Sequence, residues 1–211
     1  MAEEVRSGTR SRENTRARLL EAAAEVFAEV GLGEASVERI CERAGYTRGA
    51  FYSNFATKDE MFLELAKVVA RDRVAAARAR VAEIDVAATI GVEASDVAAI
   101  IRVLDVIGDD RLSTLLMYEI NLHAMRDRDF AVAYAVQEQE MVDEVVQLIE
   151  EVVENERLEL RVTSLEAARI ILAVWGDVSG RAAIAGLDAD AARELRSVEV
   201  GRVVQLLIER C

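Results

Sequence analysis

Proline is absent from the 211 residues, histidine occurs once, and cysteine and lysine occur twice each. Each scarcity removes a class of protein. Cys41 and Cys211 form no CxxC pair, and His123 is the lone imidazole. A disulfide-stapled secreted fold and a zinc site built from Cys and His are thereby excluded. A histidine-based catalytic triad would rest on His123 alone. No metal and no cofactor is expected. Long apolar runs are also missing: nothing approaches the ~18 residues of a membrane span. The first 20 residues carry Arg6, Arg10, Arg12, Arg16 and Arg18 and no apolar stretch, so no signal peptide is read. A cytoplasmic protein without a membrane partner is the expectation. No strand pattern, internal repeat or low-complexity linker is visible.

Hydrophobic residues make up 52% of the chain and charged ones 31%. Without proline, that mixture predicts an all-α protein. Arginine outnumbers lysine 24 to 2, a bias typical of a GC-rich bacterial genome. The net charge of −13 opposes nucleic-acid binding when taken as a sum. Its distribution reverses the argument. Residues 1–60 hold nine bases against eleven acids, and residues 43–58 hold Arg43, Arg48 and Lys58 with no acid.

Residues 1–11 are polar, Arg-rich and aperiodic, and read as a flexible arm. A helix follows from Asn14 or Thr15, with Leu20, Ala23, Phe27 and Val30 at helical spacing, ended by Gly31 and Gly33. Ser36 caps a short second helix, Gly45 breaks it, and Thr47 caps a third from Arg48 to about Phe55. Thr57 caps a long fourth helix from Lys58 to about Ile84. Residues 85–94 read as a loop and Ser95–Ile107 as a helix. Further helices span Arg111 to about Met125, Phe130 to Asn155, residues 165–185, and Asp188 to near Arg210.

The segment Ser36–Lys58, SVERICERAGYTRGAFYSNFATK, carries the functional argument. Two short helices joined by a tight glycine-containing turn form a helix-turn-helix, whose second helix enters the major groove. Ile40 and Ala44 pack the first helix, while Phe51 and Phe55 hold the second down. Thr47, Arg48, Gly49, Tyr52, Ser53 and Asn54 are left on outer faces, a donor-rich, acid-poor set of the kind that reads DNA.

Residues 12–72 resemble the DNA-binding domain of the tetracycline-repressor (TetR) family. The resemblance rests on LLEAAAEVFAEVGLGEASVERICERAGYTRGAFYSNFATKDEMF, with Gly31 after the first helix, the Ala44–Gly45 turn, Tyr52-x-x-Phe55 and Lys58 opening the fourth helix. It implies that Tyr52, Asn54 and Lys58 contact backbone phosphates, joined by Ser36 and Thr47 from helix starts, and that Arg48, Gly49 and Ser53 face base edges. The motif spans about residues 35–54. Tyr46 departs from the family's smaller apolar residue, and whether it packs or reaches DNA stays open.

Residues 73–211 then form a helical ligand-binding and dimerisation domain. Met117, Tyr118, His123 and Trp175 are candidates for lining an apolar effector cavity, or for ordinary core packing. Leu172, Ser179, Ala182 and Gly186 on one helix, with Val200, Val203, Val204 and Leu207 on the last, form stripes suited to a homodimer seam. Either stripe can instead face its own core. The resemblance implies a ligand-responsive transcriptional regulator, a repressor released from a palindromic operator by a small apolar molecule. A helical-bundle enzyme lacks any convergent catalytic set, and an adaptor deficient in DNA binding is opposed by Tyr52 and Lys58.

Overall fold

The computed structural model describes residues 2–89, 111–155 and 158–209. The described residues form eight helices: α1 (Ala2–Glu34), α2 (Val37–Ala44), α3 (Arg48–Asn54), α4 (Lys58–Thr89), α5 (Arg111–Arg126), α6 (Arg128–Asn155), α7 (Ser164–Ala185) and α8 (Ala189–Leu207). The all-α expectation is met. The backbone is helical from Ala2, where the sequence reads as an arm, and α4 extends to Thr89. The readings of residues 90–110, including the helix from Ser95 to Ile107, lie outside the described residues. No described helix is long and apolar enough to cross a membrane.

A short sheet contradicts the strand-free reading. Glu159–Leu160 (β1) pairs antiparallel with Ile208–Glu209 (β2), so α8 ends at Leu207 rather than near Arg210. A two-residue strand is too short to show an alternating pattern.

The chain divides into two compact units, Met1–Val68 with Leu115–Tyr134, and Val69–Thr114 with Ala135–Cys211. In the first, the helical row Leu19, Ala23, Val26 and Phe27 of α1 is buried, as are Met61 and Phe62 of α4, Leu116 and Ile120 of α5, and Phe130 of α6. The Phe27 and Phe62 rings meet edge to face with centroids 4.9 Å apart. Gly31 interrupts α1 at φ 75°, ψ 165°, a conformation open essentially to glycine alone. The Leu32 N–H freed there donates to the Glu119 carboxylate at 3.0 Å.

In the second unit, Trp175 of α7 packs with Val200, Val204 and Ile208. A capping box starts α7: Thr163 Oγ1 accepts from the Glu166 N–H, and Glu166 Oε2 accepts from the Thr163 N–H. Gly186 closes α7 in the left-handed region, and Asp188 caps α8 through the Ala191 N–H. Arg181 pairs with Asp177 on α7 and with Glu199 on α8.

The residues of the expected dimer seam differ in their exposure. Ser179, Ala182, Val200, Val204 and Leu207 are buried within their own chain. Leu172 and Val203 are half-buried, and Gly186, although exposed, serves as the helix cap. Apolar periodicity identifies a packed face but not its partner, and part of this face, Trp175 with Val200 and Val204, packs within the protomer. Outward-facing apolar residues lie elsewhere, notably Ile184 (88% exposed) and Leu206 (70%).

Two glycine substitutions differ in both strain and contact. Gly45 has φ 73° and open space where a Cβ would stand, so Gly45→Ala should cost only the left-handed penalty, about 1–2 kcal/mol. At Gly31 a Cβ would also lie 3.2 Å from the Glu119 carboxylate. Urea denaturation should show Gly31→Ala to be the more damaging; equal losses would mean that neither the Gly31 backbone nor its contact with Glu119 constrains this turn.

Candidate nucleic-acid interface

Isolated helices of seven or eight residues are marginal in water, so α2 and α3 depend on their ends and on packing. Ser36 Oγ accepts from the Arg39 N–H at 3.1 Å, and Thr47 Oγ1 from the Ala50 N–H at 3.3 Å. Between the helices, Gly45 takes the left-handed conformation, and the Tyr46 N–H donates to the Cys41 carbonyl at 2.9 Å. The Cys41 side chain is buried, which raises its thiol pKa. Phe51 and Phe55 are at most 1% exposed and clamp α3 from below.

The opposite face of α3 is open. Ser36, Thr47, Arg48, Gly49, Tyr52 and Ser53 are exposed, with Tyr52 at 51%. The Arg48 guanidinium forms an ion pair with Glu38 at 2.6 Å and lies 5.9 Å from the Tyr52 ring. Exposed pairs of this kind are worth at most about 1 kcal/mol and exchange readily for another anion. Arg39 and Arg43 are differently placed, since both reach back to glutamates of α1. Arg39 pairs with Glu29, and Arg43 with Glu25 and Glu29. The Arg43 hydrogen bond is the chief cause holding the Glu29 carboxyl below its usual range.

Two expected contact residues turn inward. Asn54 is 8% exposed, and its Nδ2 donates to the Ala50 carbonyl at 2.8 Å. Lys58 is half-buried, and its Nζ donates to the Leu32 and Ala35 carbonyls at 2.8 and 3.0 Å. An ammonium has three donors, so one remains for a phosphate. Lys58 is first a clamp on the turn after α1.

Sequence reasoning misses two supports on α1. Arg12 Nη2 donates to the Ser53 carbonyl at 2.9 Å, and Arg16 Nη1 to the Asn54 carbonyl at 2.7 Å. The Arg16 guanidinium also lies 4.2 Å from the Phe55 ring centroid. Cations on the last carbonyls of α3 satisfy orphan acceptors and suit the negative end of the helix dipole. Their i,i+4 spacing is the available signal, but a run of arginines near a terminus also fits an unstructured arm.

The four effector candidates are positioned by different neighbours. Met117 is half-buried and Tyr118 is 48% exposed. The His123 ring lies edge-on to Phe130 and Phe62, at 4.5 and 6.0 Å between centroids. Trp175 belongs to the α7–α8 core.

The short capped helices, glycine turn and donor-rich outer face define a helix-turn-helix DNA-binding protein. Residues 19–65 match the family model for bacterial regulatory proteins of the tetR family. SrpR of Pseudomonas putida, an HTH-type transcriptional regulator, is 33% identical over 110 residues, covering 51% of this chain and 47% of that protein. TtgW, an uncharacterized HTH-type transcriptional regulator also from Pseudomonas putida, is 32% identical over 108 residues, 50% of this chain and 74% of that protein. The matched stretch spans about half the length of SrpR. The fold matches that of the fatty acid degradation regulator FadR from Bacillus halodurans, with a TM-score of 0.71, 15% identity, and coverage of 89% of this chain and 94% of that one. The chain belongs to the TetR family. It is a DNA-binding transcriptional regulator and not an enzyme.

The position of Lys58 yields a test without DNA. Lys58→Met removes two charge-assisted hydrogen bonds to carbonyls and should lower unfolding free energy by about 1–3 kcal/mol in urea titration. An unchanged midpoint would show that the ammonium is not a structural clamp.

Proposed function

We propose that the chain acts as a homodimeric repressor in the bacterial cytoplasm, occupying a palindromic operator and released by a small apolar or amphipathic molecule. The observation that carries the DNA part is the outer face of α3, where Thr47, Arg48, Gly49, Tyr52 and Ser53 are exposed above a fully buried Phe51. In this reading Arg48, Gly49 and Ser53 approach base edges. Tyr52, Ser36 and Thr47 approach phosphates, joined by the remaining donor of Lys58. A dimer that covers a duplex excludes other proteins from it, which is sufficient for repression.

The dimer reading stays with the last two helices, through the half-buried Leu172 and Val203 and the exposed apolar residues beside them. Ile184 and Leu206 are outward-facing apolar residues there, with Leu187 (41% exposed) and Val198 (44%). Two heads must stand about 34–36 Å apart to occupy both half-sites. An effector favouring a different spacing weakens DNA binding by its differential affinity for the two states. The apolar neighbourhood of Trp175 supports an apolar effector, and the uninterrupted α4, Lys58–Thr89, supports its role as the lever. His123 is withdrawn from the effector set, since its ring is held by Phe62 and Phe130.

Two experiments test this function. Selection of duplexes from a random pool should enrich a palindrome, and Arg48→Ala should relax preference at one position per half-site by about 1–3 kcal/mol. Unchanged base preference would remove α3 from the groove. Separately, Ile184→Glu should leave thermal stability unaltered at low protein concentration while shifting sedimentation toward monomer and weakening operator binding. A dimer that persists would place the interface elsewhere.

A further inference from the structure

Asp59 in the first turn of α4, His123 near the end of α5, and Asp127 at the corner before α6 each present one ligand atom, all within 4.8 Å of one another. His123 Nε2 is sealed from solvent and faces Asp59 Oδ1 at 3.2 Å. The imidazole is not free to swing out, because Phe62 and Phe130 hold it edge-on. Asp127 Oδ1 accepts the Phe130 N–H at 2.9 Å, which fixes this carboxylate while leaving its second oxygen available.

We infer that Asp59, His123 and Asp127 form a binding site for a divalent first-row transition-metal ion. One imidazole with two carboxylates is a mixed nitrogen–oxygen set that suits zinc, manganese, iron or cobalt, whereas magnesium and calcium prefer oxygen alone. Tetrahedral metal–ligand bonds of about 2.0–2.2 Å place ligand atoms roughly 3.3–3.6 Å apart, so side-chain adjustments of up to about 1.5 Å bring all three onto one ion. Three protein ligands leave at least one position for water. The ion would tie the α5–α6 corner to the first turn of α4, one residue from the Lys58 clamp. It is a second input, separate from the apolar effector and independent of the operator reading.

The single histidine makes the test specific. In the untagged 211-residue chain every imidazole proton resonance belongs to His123. One equivalent of cobalt(II) should shift or broaden those resonances, and zinc(II) should be drawn from a chromophoric chelator with a stoichiometry of one per chain. His123→Gln should abolish uptake, and Asp59→Asn and Asp127→Asn should each weaken it about tenfold or more. Circular dichroism without metal establishes that each variant folds, and the near-isosteric Asp→Asn changes keep the test decisive if His123→Gln does not. Zinc affinity weaker than about 0.1 mM overturns the site. So does undiminished uptake by His123→Gln or by both asparagine variants. Ring protons that respond to acid but not to cobalt would identify a plain His–Asp ion pair and also overturn it.

Discussion

A seven-residue helix cannot hold itself, and everything this protein does to DNA depends on holding one. Nucleation consumes most of the order that so short a segment can gain from its own hydrogen bonds. α3 is therefore fixed from outside at three places. Thr47 satisfies its first turn, Phe51 and Phe55 anchor its underside, and Arg12 and Arg16 reach from α1 to its last carbonyls. A helix stabilised from below and at both ends can leave its upper face without any packing role. That freedom leaves Arg48, Tyr52 and Ser53 exposed.

The turn beside it is held by a matched pair. Glu119 accepts the Leu32 N–H, and Lys58 donates to the Leu32 and Ala35 carbonyls. Gly31 provides the backbone conformation that exposes these groups, and it leaves room for the carboxylate. Charge is arranged to the same end. The arginines of α2 are engaged by Glu25 and Glu29, while Arg48 pairs with the exposed Glu38 and lies beside the Tyr52 ring. In a chain of net charge −13, α3 itself carries no acid, and Glu38 is the acid that reaches its Arg48.

Local features are legible in the sequence because their causes are local. Ser36, Thr47 and Asp188 cap helices, Gly45 and Gly186 end them, and Phe51 and Phe55 face the core, each from spacing and side-chain chemistry. What depends on distant partners is not legible. Asn54 and Lys58 carry the right polar groups for DNA, yet those groups turn to carbonyls of their own fold. The stripe Ser179, Ala182, Val200 and Val204 reads as packed, but sequence periodicity cannot tell a neighbouring helix from a second protomer. The Asp59–His123–Asp127 cluster draws on positions with about 60 residues between the first two, a separation that no motif spacing reveals. Arg12 and Arg16 are hidden in a basic segment with more than one physical reading.

The central claim is that α3 is pre-ordered by its surroundings and meets DNA as a finished surface. Amide hydrogen exchange across Ser36–Asn54, first in the free protein and then with a selected operator duplex, tests it most directly. The account predicts protection of the Phe51 and Phe55 amides in the free protein close to that of the α1 core, with added protection at Thr47–Ser53 on binding DNA. Free exchange of α3 at the rate of an unstructured loop, with order appearing only on the duplex, would contradict it.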